Sequence, residues 1–155
     1  MSEPAWRVVG LLAAAFREAV DELHRDLAEQ GHPDARPLHG FTLQAIGPDG
    51  CTIAQLAERL GVSKQAAAKT AAGMASAGYV EREPVPGDRR AVLLRRTARA
   101  DDLLRLSERG FRRVLRRWRR EVGGAELDAM VAALTSIAGN APIGDLPGWL
   151  TRPSS

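Results

Sequence analysis

The residues best equipped for chemistry fall into two short clusters. The first is Ser63, Lys64, Gln65, Ala68 and Lys69, whose spacing places them on the outward side of one helix. There a glutamine can make a paired hydrogen bond to adenine, and an alanine can touch a thymine methyl. Lysines suit phosphates or guanine. The second cluster is Arg82 with Asp88, Arg89 and Arg90, the last three closing a predicted loop from Pro84 to Arg90. A basic hairpin tip of this kind can enter a minor groove, whose narrow A·T-rich form concentrates negative potential and favours arginine. Asp88 carries the wrong sign for DNA, so its expected role is to orient a neighbouring arginine through a charge-assisted hydrogen bond. The bland alternatives are a solvated helix face and a surface loop with a local ion pair, worth about 0–1 kcal/mol.

Positioning these clusters requires a particular order of elements. Thr52 and Gln55 form a capping-box pattern that opens a short helix with Ile53, Leu56, Ala57 and Leu60 on its buried stripe. Gly61-Val62-Ser63 then makes a tight turn, and Ser63 caps the helix that runs from Lys64 to about Ala77. By spacing, Ala67, Ala71 and Met74 face inward on it. Gly78 stops that helix, Tyr79 to Glu83 reads as a strand, and Ala91 to Arg95 reads as the returning strand. Helix, turn, helix, strand, basic loop and strand together describe a winged helix-turn-helix. The fold class expected is mainly α with a small β-hairpin wing.

Long helices flank this unit. From Pro4 to Gln30 the residues Trp6, Val9, Leu12, Phe16, Val20, Leu23 and Leu27 recur at helical spacing. That stripe is longer than a small domain covers, so a second subunit is its expected cover. Pro37 opens another helix carrying Leu38, Phe41, Leu43 and Ile46. Thr97 caps a long basic helix to about Val122, which Gly110 is expected to weaken locally. A last helix runs from Ala125 to about Ala138, and the tail holds Ile143, Leu146, Trp149 and Leu150, which are expected to dock. The boundaries expected are a dimerisation helix at 1–33, a winged lobe at 34–97, and a linker helix, second dimerisation helix and tail at 98–155.

Charge is unevenly spread along the 155 residues. Formal net charge is +3, yet between Glu81 and Arg120 fourteen arginines meet six acidic residues, a local net of +8. Such a block points to an anionic partner, nucleic acid first, or else to a salt-bridged helix face. For the stretch after Ala98 the two readings stand level. Hydrophobic residues make up 45% and charged residues 26%, which excludes a disordered or fibrous chain. No apolar run reaches the ~20 residues of a membrane span, and no secretory signal is read at the start, so no membrane partner is expected. The single cysteine excludes an internal disulfide framework and suits a reducing, cytoplasmic setting.

The segment Thr52 to Gln65, then Gly78-Tyr79-Val80-Glu81-Arg82, Gly87-Asp88-Arg89-Arg90, Ala91 to Leu94 and Thr97, resembles the MarR-type transcriptional regulators. The order and spacing of these pieces carry the resemblance, which extends over about residues 10–138. It implies a homodimer that binds a roughly palindromic double-stranded DNA site, often released by a small phenolic or lipophilic effector. It also implies that the helix after Ser63 is the recognition helix, that Arg90 is the wing arginine, and that Asp88 is its supporting carboxylate. Two departures stand out: Val85, where an acidic residue is frequent, and Ala100, where glycine is common.

Other sites are weaker. The resemblance implies an effector pocket between the dimer helices and the lobe, which would draw on Leu38, His39 and Phe41, with Trp6 and Phe16 as further walls, although packing is the commoner role for those two. The spacings of His24, His32 and His39 match no strong zinc pattern, so neither metal nor cofactor is expected. Cys51 reads as an inert buried thiol rather than a redox sensor. No catalytic motif suggests an enzyme. The rival readings are a winged-helix module that binds a protein, favoured by the chemically thin recognition helix, and a ligand-binding or enzymatic descendant without DNA binding.

Overall fold

The computed structural model describes residues 4–139; the expected docking of Ile143, Leu146, Trp149 and Leu150 lies outside them. Its elements run α1 (Ala5–Glu29), α2 (Pro37–Ile46), β1 (Cys51–Thr52), α3 (Ile53–Leu60), α4 (Lys64–Ser76), β2 (Val80–Val85), β3 (Asp88–Arg96), α5 (Ala98–Val122) and α6 (Gly124–Ala138). The sheet is antiparallel, in the order β1-β3-β2. This is the mainly helical winged helix-turn-helix that the residue pattern predicts.

Local chemistry sets the helix boundaries. Gln55 N–H donates to Thr52 Oγ1 at 3.2 Å and Thr52 N–H donates to Gln55 Oε1 at 2.9 Å, so both halves of the capping box are made. Ser63 Oγ accepts from Ala66 N–H at 3.1 Å, and Thr97 Oγ1 from Ala100 N–H at 3.2 Å. Gly61 ends α3 at φ +63°, a left-handed geometry that any side chain would strain. Across that turn Ala57, Ala67, Ala71 and Met74 are almost fully buried. Small side chains at the crossing let the backbones of α3 and α4 approach closely.

The wing departs from expectation. The segment Pro84 to Arg90 is not a loop: β2 continues through Val85 and β3 begins at Asp88, leaving Pro86 and Gly87 as the turn. Pro84 is tolerated because β2 is an edge strand, where a missing N–H breaks no ladder. Proline followed by glycine, here with φ +82°, is the pair a type II turn asks for. Register pairs Pro84 with Val92 but Val85 with Asp88, so Arg89, Arg90 and Ala91 bulge out with no β2 residue opposite. β1 is a second difference. It pairs Cys51 with Leu94 and Thr52 with Leu93, and two residues are too few to show a period.

Gly110 also reads differently in three dimensions. Instead of merely weakening α5, it is buried, and a Cβ there would lie 2.4 Å from Leu23 Cδ1. The glycine is a notch that lets α1 and α5 close on each other. The core continues through Leu27, Leu43, Ile46, Leu56, Leu94 and Leu103. Apolar side chains on the N-terminal half of α1 stand exposed among the described residues, Trp6 by 74% and Val9 by 67%, and on α6 Ile137 is 81% exposed.

Gly50 holds the entrance to the lobe. Its φ is +80°, and a Cβ there would meet the Leu94 carbonyl oxygen at 2.5 Å, in backbone that cannot step aside. Gly50→Ala is expected to lower unfolding free energy by about 1–3 kcal/mol, measured by urea denaturation. An unchanged midpoint would mean that β1 is not held against β3 at this distance.

Candidate nucleic-acid interface

The fold exposes nearly all of the predicted contact residues. Ser63 caps α4, Lys64, Gln65 and Lys69 are exposed along it, and Ala68 is half-buried. Arg82 is exposed on β2, and Asp88, Arg89 and Arg90 are exposed at the start of β3. Asp88 does orient its neighbour, but through the main chain: its Oδ1 accepts from Arg90 N–H at 3.0 Å. That bond fixes the bulged backbone from which the Arg90 side chain projects.

Ion pairing divides the cations into two populations. On α5, Arg105 pairs with Asp102, Arg112 with Glu108, Arg113 with Asp26, and Arg119 with Asp128. Arg117 meets Glu121, Glu22 and Glu18, and those hydrogen bonds, Glu121's foremost, raise its pKa above the ordinary arginine value. Glu18 also accepts from Trp118 Nε1 at 3.2 Å. Asp26, Glu18 and Glu22 all belong to α1, so two of the nine arginines on α5 are met by the acidic flank of its neighbour. Among the described residues no salt bridge engages Lys64, Lys69, Arg82, Arg89 or Arg90, nor Arg25 on α1 or Arg109, Arg116 and Arg120 on α5. The even choice that the sequence left for the stretch after Ala98 is therefore resolved toward a salt-bridged face at these five α5 arginines.

A cavity of about 170 Å³ lies between α1, α2 and α5. Of the five pocket residues expected, only Phe41 lines it. Trp6 sits on the exposed end of α1, while Phe16 and Leu38 are half-buried elsewhere. His39 Nδ1 accepts from Arg36 N–H at 3.3 Å, and its ring lies 5.7 Å from that of Tyr79. The walls come instead from Leu23, His24, Leu103, Leu104 and Phe111, with Gln44 at the polar side. Helical spacing places Leu23 on the apolar stripe of α1, and packing alone reveals that this stripe leaves a gap against α2 and α5. His24 Nδ1 is buried without a partner.

The remaining candidates are chemically quiet. Burial pushes the Cys51 thiol pKa up, with Arg59 pulling weakly the other way. Both nitrogens of His32 are engaged, by Tyr79 and by Asp102. Among the described residues no group of three or more His, Cys, Asp or Glu side chains is arranged to hold a metal ion. No described helix is long and apolar enough to cross a membrane.

Burial holds His24 and His39 below the ordinary histidine pKa, with the positive charge of Arg36 adding to the effect at His39. A histidine that resists protonation when folded, but not when unfolded, lends stability above its unfolded value. That stability is fully present above about pH 6.5 and is lost as pH falls through the folded value. The thermal midpoint is expected to drop between pH 7.5 and pH 5.5, and the double variant His24→Gln, His39→Gln should show a shallower drop. Identical profiles in a calorimetric titration would contradict this assignment.

Comparison with known proteins agrees with the geometry. Residues 37–91 match the family model described as MarR family. No curated protein matches the chain. Among solved structures, RV1404 from Mycobacterium tuberculosis superposes with a TM-score of 0.71 at 25% identity, covering 91% of this chain and 97% of that one. FabT from Streptococcus pneumoniae, solved in complex with DNA, gives 0.71 at 21% identity, covering 86% and 94%. Wild-type apo MarR from E. coli gives 0.65 at 18% identity, covering 88% and 98%. Residues 37–91, which hold the helix-turn-helix and the first part of the wing, thus match the MarR family model, and the chain shares the winged-helix fold of the solved MarR structures.

Proposed function

We propose that this chain is a sequence-specific, double-stranded DNA-binding transcriptional regulator that works as a homodimer in the cytoplasm. One observation carries the reading: Lys64 and Lys69 on the recognition helix and Arg82, Arg89 and Arg90 on the wing are all exposed, and none of them meets a carboxylate among the described residues. An exposed cation held by no partner is available to a phosphate or a base edge. In this reading the outer face of α4 enters a major groove ~12 Å wide, with Gln65 and Ala68 at base edges and Ser63, Lys64 and Lys69 nearer the backbone. Arg89 and Arg90 reach the adjacent minor groove, Asp88 holding the bulge that presents them, and Arg82 supports them from β2.

The uncovered apolar face supports the dimer. Trp6, Val9 and Leu12 on α1 and Val131, Leu134 and Ile137 on α6 are all exposed, and a second copy is their natural cover. Residues 34–97 then form each DNA-reading lobe, with 1–33 and 98–155 building the frame between them. Two lobes would read half-sites about one helical turn, ~34 Å, apart. The cavity supports repression relieved by a small effector: its volume is close to the ~150 Å³ that an engineered apolar cavity needs to hold benzene. A compact lipophilic or phenolic molecule fits, with its polar group at His24 Nδ1. Such an effector acts by binding more tightly to a lobe spacing that DNA does not favour.

Selection from a random duplex pool is expected to recover a pseudo-palindromic site. Gln65→Ala should then relax preference at one base position by about 1–3 kcal/mol, read by fluorescence anisotropy. Failure to enrich any duplex at low salt would overturn the reading in favour of a protein-binding module. Light scattering at micromolar concentration is expected to return twice the 16.7 kDa chain mass, and a monomer would remove the dimer.

A further inference from the structure

His32, in the turn after α1, is 2% exposed. An imidazole in that position must satisfy both ring nitrogens or lose the hydrogen bonds it made in water. Its two bonds go to two other parts of the molecule: Nδ1 lies 2.9 Å from Tyr79 Oη, and Nε2 lies 2.9 Å from Asp102 Oδ2. Hydrogen bonding to His32 first, and to Arg105 second, holds the Asp102 carboxyl below its ordinary range. An ionised carboxylate can only accept, so Nε2–H donates to Asp102, and in that neutral tautomer the Tyr79 hydroxyl donates to Nδ1.

Tyr79 stands at a joint. Its N–H donates to Met74 O at 2.9 Å, closing α4, and its carbonyl accepts from Thr97 N–H at 3.2 Å, where β3 passes into α5. Its ring stacks on His32 at 5.7 Å and carries the Arg99 guanidinium 4.9 Å above the centroid. His32 is itself anchored to α1, its N–H donating to Leu27 O at 2.9 Å. Three side chains thus tie the end of α1, the α4–β2 joint and the first turns of α5. Apolar side chains would fill the same volume without directional demands; a fully bonded polar relay fixes one arrangement.

We propose that the His32–Tyr79–Asp102 relay is a positioning device that sets recognition helix and wing against the α1–α5 frame without itself touching DNA. The proposal rests on the DNA-binding reading above for its consequence, though not for its geometry. Tyr79→Phe keeps the ring and removes one bond. Amide hydrogen exchange in this variant is expected to quicken about tenfold in α4 and β2 while α3 and α6 keep their wild-type rates. On a selected duplex its Kd is expected to rise about tenfold at a temperature where both proteins are fully folded. Asp102→Asn, which keeps an acceptor for Nε2–H, should stay near wild type in both measurements, whereas Asp102→Ala should follow Tyr79→Phe. Exchange unchanged in Tyr79→Phe, or quickened equally in every helix, would overturn the proposal by making the relay ordinary core. Wild-type binding to no duplex would defeat the functional reading instead, and the exchange comparison would still decide the relay.

Discussion

A guanidinium group is charged at any pH a protein meets, so each arginine in a crowded basic chain needs a carboxylate, a carbonyl, a ring face or water. In this molecule α5 makes that allocation along its own length and against α1 and α6. Asp26, Glu18 and Glu22 on α1 take up Arg113 and Arg117 of α5, while Asp102, Glu108 and Asp128 take up Arg105, Arg112 and Arg119. Exposed pairs of this kind add little stability individually. Their larger effect is to occupy five of the nine arginines on the longest basic helix, whereas no cation of α4 or of the wing tip is taken up this way among the described residues. The functional reading depends on that separation.

Packing supplies the second half of the design. Ala57, Ala67 and Ala71 keep α3 and α4 close, Gly61 turns the chain between them, and Gly110 lets α1 meet α5 through Leu23. A helix held by its inner face can present an exposed outer face with little side-chain bulk. That explains why α4 is so alanine-rich, and why so few of its side chains are left to read bases. Shape and wing contacts must then carry more of the discrimination.

Much of this was legible in the residues because its causes are local. Thr52, Ser63 and Thr97 each bond an amide three residues away, and those boundaries can be read from sequence. The inner face of α4 followed from helical spacing alone. What escaped was set by partners far along the chain. β1 exists only because Leu93 and Leu94 lie beside it. The wing strands extend past Pro84 because β2 is an edge, a property of the sheet and not of the segment. The cavity is bounded by three helices that no local pattern relates, which is why, of the five residues named for a pocket from the sequence, Phe41 alone lies along it. The relay at His32 joins residues 47 and 70 positions apart, beyond the reach of any motif.

The decisive measurement is the salt dependence of duplex affinity, compared among wild type, an Arg89→Ala, Arg90→Ala double variant, and Arg112→Ala. If free charge on α4 and the wing makes the contact, a dimer touching about 6–10 phosphates should lose about 10³- to 10⁵-fold in affinity between 50 and 200 mM salt. The double variant should then bind more weakly and with a shallower slope, while Arg112→Ala should track wild type. Equal flattening in both variants would show that the basic block acts as a diffuse field, contradicting the division of cations on which this account stands.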